Sequence, residues 1–348
     1  MELIYCVDWL TASFDANIIN DKLGLKQYDK NELVKYIIKE VIKIDIDLFV
    51  IKPGRFMFKS RLEYAGVEIL FDQIALNGTS NIICLNVSGS GCRVLENNDT
   101  MYQILHFTND YHLNVTRLDL AVDDRVGILN LNTIFNKAVS RTVPDRCYWW
   151  GGFKVCNRIQ GDQGTTIYFG SAKSLVRIRI YDKAKESNLV DTVWNRVETV
   201  FRDCKAIQVL NQICNDNSYQ VYSSILRGLL IFTTKPISSF SESNESRQAE
   251  DYICNWWTKL LNGGQRVTLS GSTQRKKNWN KTRRYVNKNL SKTLAIYSEV
   301  LGGTGVLAEL ALLGRDKLKN DDLNYIKTCK QEYQNSLNED DNSFDPCI

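Results

Sequence analysis

Two histidines, His106 and His112, are all that the 348 residues supply, and they stand six apart outside any His-x-His pair. That scarcity excludes a histidine-rich metal centre, so any divalent ion would depend on carboxylates. The ten cysteines, at 6, 84, 92, 147, 156, 204, 214, 254, 329 and 347, contain no Cys-x-x-Cys pair and no dense disulfide spacing. They read as reduced thiols that mostly pack. No apolar run approaches the roughly 20 residues of a membrane span. The start, "MELIYCVDWLTASF", lacks the basic n-region and apolar core of a signal peptide. The expectation is a soluble, cytoplasmic chain without a membrane partner. Excess charge is missing too: a net +4 is too small to identify a nucleic-acid partner, so the distribution of charge has to carry that argument.

What is present is enough apolar residue, 43% of the chain, to bury a sizeable core in two domains or one elaborate one. Alternating segments predict strands at 3–14, 55–60, 64–72, 82–88, 115–123, 146–155, 164–170, 175–182 and 193–203, with turns such as "NGTS" and "FGSAKS" between several of them. Helical spacing falls at 30–44, 99–110, 131–141 and 204–215, and 217–232 closes the region as a helix. That order predicts an α+β domain over 1–232, built on an antiparallel sheet as two similar halves, although no sequence repeat marks a duplication. The Ser- and Thr-rich stretch 233–246 reads as a linker, 247–337 as an all-helical second domain, and 338–348 as an acidic tail.

Chemistry concentrates on strands. In "VTRLDLAVDD" alternation places Arg117, Asp119, Ala121 and Asp123 on one face; in "VWNRVETVFR" it groups Trp194, Arg196, Glu198 and Val200. Each strand sets a carboxylate two residues from an arginine. Fixed oxygen ligands suit Mg2+ or Mn2+, and a solvated face of arginine–carboxylate pairs suits the same pattern; both readings stand at this point. A third strand, "VRIRIYDK", puts Arg177, Arg179, Tyr181 and Lys183 on one face and Ile178 and Ile180 on the other. A phenol among cations becomes a better nucleophile, because positive charge favours the phenolate. Tyr168 shares its strand face with Thr166 and Gly170 and no cation, so packing is expected there.

Taken together, "DWLTASF" (8–14), "VTRLDLAVDD" (115–124), "TIYFGSAKSLVRIRIYDKAKE" (166–186) and "WNRVETVFRD" (194–203) resemble the replication initiation factors of the Rep_trans type, rolling-circle initiators of small plasmids and filamentous phages. The resemblance covers roughly 8–232, and "KNLSKTLAIYSEVLGG" (288–303) extends it more loosely. It implies an enzyme that nicks one strand at the double-strand origin through a tyrosine, stays joined to the 5′ phosphate and releases a 3′-OH primer. On this chain it implies Tyr181 as nucleophile, Asp119 and Glu198 as leading ligands of Mg2+ or Mn2+ with Asp123 as a third, and Lys183 and Arg179 as phosphate contacts.

Arg177 joins the expected DNA contacts, as does the run "RKKNWNKTRRYVNKNLSK", with Arg275, Lys276, Lys277, Lys281, Arg283, Arg284, Lys288 and Lys292 and no acid between 275 and 292. Its cations would bind phosphates, and Trp279 and Tyr285 would stack on unpaired bases; a solvated basic helix face is the plainer alternative. Trp256 and Trp257 are expected in a helical core. The expected partners are origin DNA, single-stranded DNA and a host helicase, with a dimer among the oligomeric states allowed. Two other functions fit the same scaffold: a relaxase of a mobile element with the same chemistry, and an origin-binding or repressor protein without a nuclease. The early first strand, with no helix-turn-helix ahead of it, favours a phage or plasmid initiator.

Overall fold

The computed structural model describes residues 3–25, 29–75, 78–140, 142–143, 150–157, 161–189, 191–236, 249–269 and 286–318, with 323, 326 and 330. The chain divides into two compact units, 1–271 and 272–348.

The first unit is built on one eleven-stranded sheet. Its strands are β1 (Ile4–Asp15), β2 (Val50–Pro53), β3 (Phe58–Tyr64), β4 (Val67–Ala75), β5 (Gly78–Ser80), β6 (Ile82–Val87), β7 (Asn114–Asp124), β8 (Trp150–Asn157), β9 (Gly161–Phe169), β10 (Val176–Asp182) and β11 (Asn195–Arg202). The spatial order is β2-β3-β4-β6-β1-β7-β11-β10-β9-β8, with β5 paired to β4 off this path. Every pairing is antiparallel.

Read outward from the centre, β1-β6-β4-β3-β2 is answered by β7-β11-β10-β9-β8. Each half runs as a central strand, one or two helices, a meander that returns to that strand, and two closing helices. The first half closes with α3 (Gly89–Asn97) and α4 (Met101–Asp110), after α1 (Ala16–Leu23) and α2 (Lys30–Tyr36, continued by a wider turn over Ile37–Ile42). The second closes with α7 (Cys204–Asp216) and α8 (Val221–Leu229), after α5 (Leu131–Val139) and the single-turn α6 (Lys183–Glu186). The expected two similar halves are therefore topological, joined where β1 pairs with β7.

Alternation decides which side of the sheet is core. Leu118, Leu120 and Val122 of β7, Val197 and Phe201 of β11, and Ile178 and Ile180 of β10 are fully buried in one cluster with Ile104, Leu105, Val209, Leu210 and Ile213 from α4 and α7. Apolar strands rich in branched residues pack well on a pleated surface and leave the alternate positions for the other face. Those alternate positions carry nearly all of the charge discussed below.

The division between units lies after 271, beyond the 233–246 linker read from composition. Residues 249–269 fold onto the sheet unit: Thr233 pairs with Ile253, the Trp257 indole donates to the Leu230 carbonyl at 2.9 Å, and the Tyr5 hydroxyl donates to the Leu260 carbonyl at 3.2 Å. Trp257, on α9 (Asn255–Leu261), is fully buried against Phe232 and Trp256. Of the stretch 233–246 read as a linker, Thr233 is fully buried and hydrogen-bonded to the Thr142 and Lys235 carbonyls, and 237–246 lie outside the described residues.

In the second unit the described helices are α10 (Ser291–Val300) and α11 (Gly305–Arg315), which expose Leu310, Leu312 and Leu313. Among the described residues no single helix is long and apolar enough to cross a membrane; α10 and α11 pass that test of length and composition only as a pair bent by 116°. Arg275, Lys276, Lys277, Lys281, Arg283 and Arg284 lie outside the described residues, and Lys288 is exposed in a turn ahead of α10.

Candidate active site

Strand register lines the polar face of the second half into rows. Directly opposed residues of antiparallel strands point to the same side. One row runs Thr11, Arg117, Arg202; the next Trp9, Asp119, Val200, Arg177; the next Ala121, Glu198, Arg179, Tyr168; and the last Asp123, Arg196, Tyr181, Thr166. The face therefore gathers Asp119, Glu198, Asp123, Arg177, Arg179 and Tyr181, with Lys183 just past the strand end.

Tyr181 sits where β10 stops. Asp182 caps α6 by accepting from the Lys185 amide at 2.9 Å, and the Lys183 and Ala184 amides both donate to the Trp194 carbonyl, at 2.8 and 3.0 Å. This clamp fixes the tyrosine ring over the sheet. Its hydroxyl donates to Glu198 Oε2 at 3.1 Å, and Arg179 donates to the same oxygen at 2.8 Å while its guanidinium lies 3.9 Å from the tyrosine ring centre. Burial and the Glu198 charge push the Tyr181 phenol well above its ordinary range, against the pull of Arg179 and Arg196. At rest the hydroxyl is protonated, with a carboxylate in place to receive its proton.

Glu186 completes this corner. Its carboxylate accepts from Lys183 at 2.5 Å and from Arg179 at 3.3 Å. Burial works against its charge, yet those two cations and the Tyr181 hydroxyl hold it below the usual carboxylate range. An anion thus already lies across both cations that the resemblance assigned to phosphate.

Asp119 is paired with Arg117, which donates to both carboxylate oxygens and lies 4.3 Å from the Trp9 ring. Burial nevertheless pushes its carboxyl up to about 7, with Glu198 and Asp8 adding to the rise. A buried carboxyl that protonates near neutrality has less positive charge around it than it would take.

Asp123 is differently engaged: Arg196 donates to both of its oxygens, at 2.6 and 2.8 Å, and a third donation reaches Asp8 at 2.7 Å. Asp8 reaches this arginine because the register between β1 and β7 skips it, Val7 facing Leu120 and Trp9 facing Asp119. A bulge of this kind turns one residue out of the alternation. Parity within "DWLTASF" could not reveal that Asp8 belongs to the site.

Among the described residues no group of three His, Cys, Asp or Glu assembles as a metal cage. The expected third carboxylate is committed to Arg196. Asp119 and Glu198 are engaged as well, by Arg117 and by Arg179 with Tyr181, so each would give up an arginine contact to take an ion. Two carboxylates fit a Mg2+-like ion that takes its other oxygens from water and phosphate.

The two tyrosines of "GTTIYFGSAKSLVRIRIYDKAKE" are less distinct than their own strands suggested. Tyr168 is the register partner of Arg179, and the Arg177 guanidinium lies 4.0 Å from its ring. Its cations come from the neighbouring strand, invisible to alternation along β9. The Tyr181 hydroxyl is bonded to a carboxylate that resembles a general base, Glu198.

The surroundings add residues that pattern did not single out. Asp124, fully buried, accepts from four consecutive amides, Val126 to Leu129, at 2.7–3.1 Å and so shapes the loop after β7. That loop holds Arg125 3.9 Å from the Trp194 ring. In the first half, Glu68 accepts from Asn86 at 2.8 Å and from Arg55 and Arg61, Asn86 accepts from Thr11 at 2.8 Å, and Thr11 accepts from the Trp9 indole at 2.8 Å. These bonds run from β3 to β1, and the Arg117 guanidinium over Trp9 extends them to Asp119 on β7.

Fold and site define an α+β protein whose doubled antiparallel sheet buries one face and arms the other with arginines, carboxylates and a carboxylate-bonded tyrosine. The chain belongs to the replication initiation factor family, whose model matches residues 113–311, from the start of β7 onward. It is 23% identical to the putative DNA relaxase NicK of Bacillus subtilis (strain 168), over 90% of this chain and 88% of that protein. Its fold is similar to that of the rolling circle replication initiator protein from Geobacillus stearothermophilus, with a TM-score of 0.61 and 24% identity over 77% of this chain and 99% of that one.

Proposed function

We propose that the protein initiates rolling-circle replication by nicking one DNA strand at a double-strand origin, with Tyr181 as the nucleophile. The observation that carries this reading is the Tyr181 hydroxyl bonded to Glu198 Oε2 at 3.1 Å beneath the Arg179 guanidinium. A phenol that stays protonated at rest needs a base during attack, and Glu198 is within reach of its proton.

The chemistry follows from those contacts. Tyr181 Oη attacks the scissile phosphorus, its proton passes to Glu198, the bond from phosphorus to the 3′ oxygen breaks, and that oxygen takes a proton from solvent. The products are a 5′-phosphotyrosine link and a free 3′-OH. Arg179 and Lys183 take the phosphate oxygens when the phosphodiester displaces the Glu186 carboxylate, and they stabilise the charge that builds during transfer. Asp119 and Glu198 would hold Mg2+ or Mn2+, which supplies further neutralisation of the phosphodiester. Asp123, Arg196 and Asp8 position the strand ends around Tyr181.

A relaxase of a mobile element would use the same groups, and the likeness to a putative DNA relaxase over 90% of the chain favours that as the second reading. The cationic run 275–292 of the second unit is the proposed duplex contact in either case. Incubation with supercoiled DNA of the protein's own replicon and Mn2+ tests the proposal: conversion to the nicked circle with protein attached is expected, and intact supercoils would refute it.

A further inference from the structure

Arg117 and Arg202 are direct register partners on β7 and β11. Like charges placed opposite each other across a strand pair are unfavourable and call for an anion between them. Arg177 stands one row away, on the strand beyond, opposite Val200, whose other partner is Asp119. The three arginines belong to one cluster: after burial, the charges of Arg117 and Arg177 are among the causes that depress the basicity of Arg202, with Asp119 and Asp203 pulling the other way.

None of the three is placed by a carboxylate alone. Arg117 stacks on Trp9 and pairs with Asp119. Arg177 lies on Tyr168, and its buried Nε has no hydrogen-bond partner among the described residues. Arg202 donates to the Ser174 carbonyl at 2.9 Å, at the end of the turn that joins β9 to β10. That turn is held by the Ser171 and Ser174 hydroxyls, 3.0 Å apart, and by Gly170 at φ 88°, where a Cβ would stand 2.6 Å from the Val176 carbonyl oxygen. Among the described residues the single ion pair of the trio is Arg117 with Asp119. An aromatic ring holds the Arg177 guanidinium and a backbone carbonyl that of Arg202, both half-exposed, while Arg117 shares its charge with Asp119.

We propose that Arg117, Arg177 and Arg202 form a second phosphate site, which holds a neighbouring phosphodiester of single-stranded DNA one row or more from the Tyr181–Glu198 corner. This rests on the reading of the protein as one that acts on DNA. Guanidinium forks suit phosphate oxygens in pairs, and a strand gripped at two phosphates is fixed in direction as well as position. The site would set which side of the scissile bond is presented to Tyr181.

The test is the salt dependence of oligothymidylate binding, by fluorescence anisotropy, for the full chain and its Arg202→Gln, Arg177→Gln and Arg202→Lys variants, with nicking of supercoiled DNA measured on the same wild-type preparation. Each glutamine variant is expected to weaken binding by about tenfold and to lower the slope of log K against log salt by about 0.7, the loss of one single-strand phosphate contact. Arg202→Lys is expected to keep the wild-type slope, because it keeps the charge; a merely structural role at the Ser174 carbonyl would leave the slope unmoved in both Arg202 variants. Arg177→Gln makes no demand on that turn and keeps the test sound if Arg202→Gln fails to fold. Glutamine variants with wild-type affinity and slope would overturn the second phosphate site even where the wild type nicks. A wild type that binds with the expected slope differences but never nicks would support this site and refute the nicking reading.

Discussion

Replacing Glu198 by glutamine keeps the size of the side chain and an oxygen that can accept from Tyr181, and removes the negative charge that would take its proton, pair with Arg179 and help to hold an ion. In the folded protein both the Tyr181 hydroxyl and Arg179 rest on Oε2 of this carboxylate. Loss of a positioned base is expected to slow strand cleavage by about 10²–10⁴-fold. The effect on stability is smaller. Breaking a buried ion pair costs about 3–5 kcal/mol when the surviving charge is stranded. Arg179, however, is 28% exposed and retains Glu186, so about 1–2 kcal/mol is expected. Single-turnover cleavage of an origin strand, followed across pH, measures the first quantity and urea unfolding the second. The variant's rate should climb as hydroxide takes over removal of the phenol proton, while the wild type flattens earlier. A Glu198→Gln protein that cleaves within about threefold of wild type at neutral pH would remove Glu198 from the proton path.

Glu186→Gln should free Arg179 and Lys183 for phosphate; each of the two partly exposed pairs it breaks is worth about 0.2–1 kcal/mol, so single-stranded DNA should bind about two- to thirtyfold more tightly. Unchanged or weaker binding would show that Glu186 does not compete with the strand. Asp124→Ala strips the acceptor from four consecutive buried amides and should destabilise the fold by about 3–5 kcal/mol, read as a lower urea midpoint; a shift below about 1 kcal/mol would contradict that role. Burial raises the Cys6 and Cys84 thiols and the Tyr5 phenol each to about 12. The folded state therefore holds these protons more tightly than the unfolded chain. The stability they lend is complete below the ordinary thiol range and is lost as pH rises from about 9 towards 12. A urea midpoint that stays level across that window would refute the assignment.

The second-half strands were legible because each alternates strictly: β7, β10 and β11 carry branched apolar residues on one parity and charge on the other, and that parity places Asp119, Glu198 and Tyr181 on one face. Three things were not legible, each for a physical reason. Alternation describes a single strand, so the Arg177 guanidinium over Tyr168, which comes from β10, could not be counted from β9. A bulge leaves no mark in composition, so Asp8 was not assigned to Arg196. Polar content resembles a linker whether or not its hydroxyls find buried carbonyls, and Thr233 does. The doubled architecture illustrates the same limit. The halves share a strand order without a visible repeat, because topology needs only the apolar period, while the polar face has diverged into Glu68, Asn86 and Thr11 on one side and the tyrosine corner on the other.

The central claim is that Tyr181 becomes covalently joined to DNA. Protein trapped on a cleaved origin strand, digested with protease and nuclease and analysed by tandem mass spectrometry, reports which side chain bears the 5′-phosphodiester. The account predicts a nucleotide adduct on the peptide containing Tyr181 and none in a Tyr181→Phe protein that still binds DNA. An adduct on Tyr168, or cleavage that survives in Tyr181→Phe, would contradict it.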